Sequence, residues 1–193
     1  MAHKFDPKNK GKLQSEERKE NLPPEKILEK AGLGQGEALI DVGCGVGYFS
    51  IPGAKKVGAK GKVYALDTSS EMTAFLTSEI KKACIENIEV LKSQEYGFPV
   101  EDSQGDMLLM SMVLHEVEDK KRFLQEARRT LKNRGRILII EWEKKETEQG
   151  PPLKHRLDFQ ETKHYLTEAG FKDPEVVRMQ EVAETFYIVT ARA

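Results

Sequence analysis

Residues 38–50 read ALIDVGCGVGYFS, a short aliphatic run that ends in an acid and continues into three glycines at alternate positions. A continuous apolar run of this kind is typical of a buried parallel strand. Glycines that follow such a strand allow a tight turn and let the backbone come close to a ligand. If a helix begins near Gly47, its unpaired N–H groups and the positive end of its dipole face the same crevice. The stretch therefore predicts a strand–loop–helix cradle for a nucleotide.

The spacing of the glycines narrows the kind of ligand. A dinucleotide fingerprint requires glycine at position 48, where this chain has Tyr48. The Gly-Lys-Ser/Thr of a triphosphate-binding loop is also absent from the sequence. The pattern Asp-x-Gly-x-Gly-x-Gly at residues 41–47 instead resembles motif I of the class I S-adenosylmethionine-dependent methyltransferases. An ordinary glycine-rich turn between a strand and a helix is the alternative at this point.

Length and composition limit the classes of function. The 193 residues suit one domain with a sizeable core. The formal net charge of −1 leaves no basic field for a phosphate backbone, so we expect no nucleic-acid partner. No uncharged apolar run approaches the ~20 residues of a membrane span. Cys44 and Cys84 are too few for a disulfide framework or a cysteine-based zinc site, and we expect a cytoplasmic protein without a metal.

The rest of the chain alternates between strand and helix patterns, which predicts an α/β fold. Such alternation gives a parallel sheet with right-handed crossovers and helices on both faces. The last two strands follow each other too closely for a crossover, so they are expected to form an antiparallel hairpin. Thr68 and Glu71 form a predicted capping box, and a helix that begins after Asp119 is expected to end at residues 133–135. The predicted strands are residues 38–42, 63–67, 88–91, 106–113, 136–140, 175–180 and 185–191.

The resemblance to class I methyltransferases extends over residues 22–193. It also implies the order of the strands in the sheet, which the spacing of the strands along the chain does not predict. It implies a seven-stranded, doubly wound sheet of order 3-2-1-4-5-7-6 in which strand seven is antiparallel. We expect one methyltransferase domain over residues 22–193, preceded by residues 1–21 as an N-terminal arm. That arm and the charged loop at residues 143–152 are expected to be surface segments, and a lid over the site is the alternative for both.

Asp67 stands at the end of the second predicted strand, 20 residues after Gly47. Ligands of open α/β sheets lie beyond the carboxyl ends of the strands, where a carboxylate can accept hydrogen bonds from both ribose hydroxyls. A helix-entry aspartate that faces solvent is the alternative. The resemblance places the family's motif II acid on Asp67. It also places an apolar contact to the adenosine on Met72, a position that equally fits ordinary core.

The segment after the third predicted strand resembles the family's adenine-binding loop. The family's Asp, which accepts from the adenine amino group, corresponds to Gln94 in this sequence. The glutamine carbonyl can still accept one hydrogen bond, without the charge. Glu95 would then offer its backbone N–H to the adenine ring.

Residues 111–117 read SMVLHEV and leave the fourth predicted strand. They match a Val-Leu-His-His stretch that is common in small-molecule methyltransferases, including the ubiquinone/menaquinone C-methyltransferase-like group. His115 is a candidate general base because it stands at the carboxyl end of a strand, and a structural histidine is the alternative. Glu141, after the fifth strand, is a second candidate for the same role.

The family resemblance implies S-adenosylmethionine as cofactor, S-adenosylhomocysteine as product and a small or mid-sized organic molecule as acceptor. Since the methyl group is already activated, the protein needs neither a nucleophile nor a metal. Asp41 is placed to face the cationic methionine portion, and Ser111 is counted with the cofactor residues. The expected cofactor-binding residues are Asp41, Gly43, Gly45, Gly47, Asp67, Met72, Gln94, Glu95 and Ser111.

Two other classes of function remain compatible with these residues. One is an oxidoreductase that binds a nicotinamide dinucleotide, against which Tyr48 counts. The other is a non-catalytic module on the same fold that binds an adenosine ligand or a partner. Titration with S-adenosylmethionine, S-adenosylhomocysteine and NAD separates the three.

Overall fold

The computed structural model describes residues 15–193 and is built around one sheet of seven strands. The order of the strands across the sheet is β3-β2-β1-β4-β5-β7-β6, and β7 runs antiparallel to both of its neighbours. The predicted fold class and strand order are therefore confirmed. In chain order the strands are β1 (Ala38–Val42), β2 (Lys62–Asp67), β3 (Ile88–Lys92), β4 (Gly105–Ser111), β5 (Leu131–Trp142), β6 (Lys172–Val177) and β7 (Phe186–Arg192).

Six α-helices lie among the described residues, and most begin at a side chain that caps the first turn. The helix after β2 is capped by Ser69, whose hydroxyl accepts from the Met72 N–H, so the predicted cap at Thr68 is wrong by one residue. None of the described helices is long and apolar enough to cross a membrane. The helices are α1 (Glu16–Asn21), α2 (Pro24–Lys30), α3 (Ser50–Val57), α4 (Ser70–Lys82), α5 (Lys120–Thr130) and α6 (Phe159–Glu168).

The sheet is buried on both faces, as expected for parallel strands covered by helices. In β4, Leu108 and Met110 pack into one hydrophobic cluster with residues of α5, while Met107 and Leu109 pack into another with residues of α2 and α3. All four side chains are fully buried. The central strands are therefore held from both sides, and their carboxyl ends form a fixed edge.

Strand β4 ends two residues earlier than its apolar pattern predicts. Met112 takes a φ of 60°, in the left-handed region, and its N–H donates to the Ile140 carbonyl at 2.7 Å. A non-glycine residue in this conformation stops a strand and turns the chain. The next residues form a single 3₁₀ turn, Leu114–Glu116, which carries His115.

The junction of α5 and β5 also differs from the prediction. The helix ends at Thr130 instead of residues 133–135, and β5 begins at once with Leu131. The register of β4 against β5 shifts between Gly105 and Met107, so residues 132–135 bulge out of the pairing. The predicted hairpin is present, although β6 begins at Lys172, earlier than predicted.

Gly61 allows β2 to start beside β1, and it supplies a test of this packing. A Cβ at Gly61 would lie 2.6 Å from the Glu37 carbonyl oxygen and 2.4 Å from Val57 Cβ. We expect Gly61→Ala to lower the free energy of unfolding by about 1–3 kcal/mol, since overpacking forces the backbone to move. Urea denaturation measures the change. Gly34→Ala is the control, because the nearest atom to its new Cβ lies at 3.7 Å. Equal effects of the two variants would contradict the tight approach at Gly61.

Candidate active site

The carboxyl ends of β1, β2, β4 and β5 open into one cavity of about 1020 Å³. It lies where the strand order reverses direction, between β1 and β4, which is the usual ligand position in an open α/β sheet. Helix α1 and the loop at residues 143–152 contribute further walls. Of the predicted site residues, the structure places Asp41, Gly43, Gly45, Asp67, Met72, Gln94, Glu95, Ser111 and His115 in the lining of this cavity.

The glycine loop after β1 is attached to the end of β2. The N–H groups of Gly43 and Cys44 both donate to the Leu66 carbonyl, at 2.8 and 2.9 Å. Gly43, Gly45 and Gly47 have φ values of 71°, 53° and 86°, a region that side chains disfavour. At Gly43 a Cβ would also lie 2.4 Å from Val113 Cγ2. The backbone of the loop therefore favours glycine at all three positions and requires it at Gly43.

Asp67 connects this loop to the start of α4. Its Oδ2 accepts from the Gly45 N–H at 2.9 Å, and its Oδ1 accepts from the Ser69 N–H at 2.8 Å. Burial raises the pKa of Asp67, although these backbone hydrogen bonds act in the opposite direction. Each oxygen keeps a lone pair that can accept from a ligand hydroxyl.

Asp41 is a buried acid at the end of β1. The Ser50 hydroxyl donates to its Oδ2 at 2.5 Å. Burial raises the pKa of Asp41 to about 7, and the nearby charge of Asp67 acts in the same direction while Arg18 opposes it. A group with this pKa changes its charge easily when a cationic ligand approaches.

Helix α1 covers the Asp41 end of the cavity. The Tyr48 hydroxyl donates to the Leu22 carbonyl at 2.8 Å and lies 3.1 Å from the Arg18 carbonyl, and the Arg18 guanidinium stacks 4.5 Å from the Tyr48 ring centre. Glu17 accepts from Gln149 Nε2 at 3.3 Å, which connects α1 to the loop at residues 143–152. The described part of the predicted arm thus lines the cavity, while its residues 1–14 lie outside the described residues.

The loop after β3 forms the opposite end of the cavity. Gln94 and Gly97 exchange two backbone hydrogen bonds, at 3.0 and 3.3 Å, so the loop makes a tight turn with Gln94 and Glu95 on the cavity wall. Met72 and Phe98 are buried and provide the apolar part of this wall. Such a surface suits a flat ring with polar edges.

Arg156 holds the loop at residues 143–152 in place. This arginine is buried, and its guanidinium donates to the carbonyls of four loop residues and to the Thr147 hydroxyl. It also stacks 5.2 Å from the Trp142 ring centre. Sequence reasoning missed Arg156, because nothing in the local pattern separates a buried arginine from a surface one. The four carbonyls belong to Glu143, Lys145, Gln149 and Pro151.

His115 and Glu141, which the sequence offers as separate candidates, form one buried pair. His115 Nδ1 lies 2.7 Å from Glu141 Oε2, and the His115 backbone N–H donates to Glu141 Oε1 at 3.2 Å. Their side chains are 4% and 2% exposed. Burial alone would lower the pKa of His115, but the charge and hydrogen bond of Glu141, together with Glu116, raise it above its ordinary value. With Nδ1 facing the carboxylate, Nε2 is the nitrogen that can take a proton.

Ser111 ends β4 with a buried hydroxyl. Its Oγ has no hydrogen-bond partner in the protein. A buried hydroxyl without a partner is unfavourable, so a ligand atom in the cavity is the natural partner. This orphaned group, the glycine cradle and the two acids all fit a ligand that combines a nucleoside with a charged end.

Comparison with known proteins agrees with this site. Residues 33–183 match the sequence family described as "Methyltransferase domain". The chain is 36% identical to a SAM-dependent methyltransferase from Aquifex aeolicus, whose crystal structure matches with a TM-score of 0.90 over 98% of this chain and 99% of that one. The chain belongs to the methyltransferase-domain family and, within it, to the class I S-adenosylmethionine-dependent methyltransferases.

Curated relatives point to one group within the family. The chain is 30% identical over 118 residues to the ubiquinone/menaquinone biosynthesis C-methyltransferase UbiE of Francisella tularensis subsp. novicida, covering 61% of this chain and 47% of the relative. It is also 30% identical over 116 residues to the demethylmenaquinone methyltransferase of Lactococcus lactis subsp. lactis, covering 60% of this chain and 46% of that one. The chain therefore spans about half the length of the curated relatives it matches.

The raised pKa of Asp41 predicts an unusual pH dependence of stability. Its ordinary pKa is 3.8 and its pKa in the folded protein is about 7, so between these values the folded protein binds the proton and the unfolded chain does not. The free energy of unfolding should therefore fall as the pH rises through this window. Across the whole window the free energy of unfolding should fall by on the order of 4 kcal/mol, since each pKa unit corresponds to ~1.4 kcal/mol.

Asp41→Asn removes this titration and keeps an oxygen for the Ser50 hydroxyl. Urea denaturation of both proteins from acid to neutral pH measures the difference. We expect the wild type to lose stability relative to Asp41→Asn as the pH rises. Parallel pH curves for the two proteins would show that Asp41 has an ordinary pKa.

Proposed function

We propose that the protein transfers a methyl group from S-adenosylmethionine to a small or mid-sized organic acceptor in this cavity. The observation that carries the proposal is the fixed glycine cradle at the β1–β4 switch point, tied to β2 by the contact between Asp67 and the Gly45 N–H. The cavity of about 1020 Å³ is slightly larger than the ~300–1,000 Å³ of typical ligand sites. It can hold an acceptor beside the cofactor.

The residues on the cavity wall fit the parts of the cofactor. Asp67 is proposed to accept from the ribose hydroxyls, and Gln94 and the Glu95 N–H to contact the adenine edge beside Met72. Asp41 and Ser111 are proposed to face the methionine portion, for which the orphaned Ser111 hydroxyl and the raised pKa of Asp41 provide support. Gly43 and Gly45 form the backbone cradle between them, while Gly47 lies outside the cavity lining, beside Leu76.

The chemistry is divided between cofactor and protein. When bound, S-adenosylmethionine supplies a methyl group that its sulfonium has already activated. The chain aligns the acceptor with the methyl group, which can lower the activation free energy by ~7–11 kcal/mol in favourable cases. Helix α1 and the loop held by Arg156 limit the access of water to the site.

His115 and Glu141 are proposed to take a proton from the acceptor. Glu141 fixes the tautomer of the imidazole and stabilises its protonated form, so that Nε2 can act as general base. The apolar side chains of Val113, Trp142 and Phe186 share the cavity lining with His115, and Glu141 lies behind the histidine. An acceptor that is largely apolar and loses one proton, such as a phenol or enol, fits this surface. The names of the curated relatives make reduced quinone rings the first acceptors to test.

The proposed function is tested by calorimetric titration with S-adenosylmethionine, S-adenosylhomocysteine and NAD. We expect binding of the first two ligands and none of NAD. An assay with labelled methyl groups across a panel of phenolic and enolic compounds then identifies the acceptor. Binding of NAD alone would support an oxidoreductase, and binding of S-adenosylmethionine without any turnover would support a non-catalytic module.

Asp67→Ala tests the ribose contact. We expect the affinity for S-adenosylhomocysteine to fall by about 10- to 100-fold, because a hydrogen bond to a charged group contributes ~1.5–3 kcal/mol. Asp102→Ala is the control, since Asp102 is exposed and pairs with Arg129 outside the cavity. Circular dichroism checks the fold of both variants. If a folded Asp67→Ala protein binds as well as the wild type, Asp67 does not hold the ribose.

The His115–Glu141 pair gives a prediction that needs no acceptor. Glu141→Gln removes the negative charge that raises the pKa of His115, so the imidazole should titrate at lower pH than in the wild type. Nuclear magnetic resonance of the ring protons measures both pKa values. With an acceptor in hand, His115→Asn should reduce turnover by ~10²–10⁴-fold and leave cofactor affinity unchanged. Full turnover by His115→Asn across the pH range would show that the histidine is structural.

A further inference from the structure

Arg18 lies on the cavity wall but outside residues 33–183, over which the methyltransferase family matches. Tyr48 positions it in two ways. The Tyr48 hydroxyl holds the end of α1 through the Leu22 and Arg18 carbonyls, and the Tyr48 ring stacks against the guanidinium at 4.5 Å. Tyr48 is the residue that replaces the glycine of a dinucleotide fingerprint. The same side chain that departs from that fingerprint therefore orients an arginine toward the site.

The Arg18 guanidinium has an unused donor. Its Nε is buried and has no hydrogen-bond partner. Among the described residues, the only other buried side-chain nitrogen or oxygen without a partner is Ser111 Oγ, and both residues line the same cavity. A buried donor without an acceptor is unfavourable, and a native protein tolerates such atoms at few places. Two such atoms in one cavity indicate a ligand that accepts from them.

The charges at this end of the cavity define the ligand. Arg18 lies close enough to Asp41 for each to act on the pKa of the other. No ion pair joins Arg18 and Asp41 within residues 15–193; Asp41 instead accepts from Ser50. A positive and a negative group that face one space without neutralising each other match the two ends of an amino-acid zwitterion. The planar guanidinium is the side chain best suited to a carboxylate.

We propose that Arg18 binds the α-carboxylate of the cofactor's methionine portion and makes the site specific for ligands that carry it. The inference rests on the proposed function, since it assigns one more contact to the same cofactor. Asp41 then faces the ammonium group of the same zwitterion. Helix α1 becomes part of the cofactor site, and Tyr48 is the residue that positions it.

The test compares two ligands that differ only in the carboxylate. S-Adenosylhomocysteine carries it, whereas decarboxylated S-adenosylhomocysteine keeps the adenosine, the thioether and the ammonium group. Arg18→Met keeps most of the length of the side chain and removes its charge and donors. We expect Arg18→Met to lower the affinity for S-adenosylhomocysteine by about 10- to 100-fold. The affinity for the decarboxylated ligand should fall by less than about threefold, since only S-adenosylhomocysteine loses a charged hydrogen bond.

Two further variants separate a direct contact from a structural effect. Lys19→Met is the control on the same helix, because Lys19 is exposed and pairs with Glu16, and it should bind both ligands as the wild type does. Tyr48→Phe keeps the ring and removes the hydroxyl that holds α1. Tyr48→Phe should lower the affinity for S-adenosylhomocysteine more than the affinity for the decarboxylated ligand. Calorimetry measures all affinities, and thermal unfolding checks that each variant is folded.

The outcomes distinguish this inference from the proposed function. A wild type that binds neither ligand would overturn both. A wild type that binds S-adenosylhomocysteine, with an Arg18→Met variant that binds it equally well, would overturn the inference alone. An equal loss for the two ligands in Arg18→Met would also overturn it, because Arg18 would then act through the fold of α1 and not through the carboxylate.

Discussion

The geometry of the site depends on one carboxylate, that of Asp67, which accepts hydrogen bonds from the backbone N–H groups of Gly45 and Ser69. These two groups belong to different turns, one after β1 and the other before α4. Without an acceptor both N–H groups would be left unpaired, which buried backbone rarely tolerates. Because the acceptor is a side chain at the end of β2, it fixes the distance between the two turns. The protein's own contacts therefore form the cradle, and a site formed in advance loses less conformational freedom on binding.

The parts of the fold that the sequence predicts well are those in which local pattern and tertiary packing agree. Strands β1 and β2 are apolar runs that end in an aspartate, and the sheet buries them as the pattern requires. The start of α4 is predicted less well, because Thr68 and Ser69 are both good capping residues. Which of them caps the helix depends on a tertiary feature, the hydrogen bond from the Ser69 N–H to Asp67. The end of β4 cannot be predicted from hydrophobic periodicity, because Met112 is apolar. Its left-handed backbone conformation is stabilised by a hydrogen bond to the distant Ile140 carbonyl. The strand order was implied by family resemblance and not by spacing.

The same distinction applies to the site. Asp41, Asp67, His115 and Glu141 are visible in the sequence because each stands at or shortly after the end of an apolar run, and strand ends meet at one edge of the sheet. Arg18 is not visible, since its surroundings are formed by residues far away in the chain, and Arg156 is not visible because nothing in the local pattern marks it as buried. The Tyr48 hydroxyl reaches the Arg18 carbonyl across 30 positions, and Gln149 reaches Glu17 across 132. The pairing of His115 with Glu141 also required the structure, because the predicted order places β4 beside β5 but does not give the register and the turn that bring the two side chains together.

Two pairs of ionisable residues at the cavity, His115 with Glu141 and Arg18 with Asp41, differ in how far their members neutralise each other. His115 and Glu141 are hydrogen-bonded to each other at 2.7 Å, so this pair is satisfied without a ligand and holds at most one mobile proton. Arg18 and Asp41 act on each other only at longer range, and the Nε of Arg18 has no partner. Charges that are not paired with each other favour a ligand that brings the opposite charges, whereas a hydrogen-bonded pair favours a neutral ligand. In the proposed function this difference orients the reaction, with the zwitterion of the cofactor at the β1 end and an uncharged acceptor at the β4–β5 end.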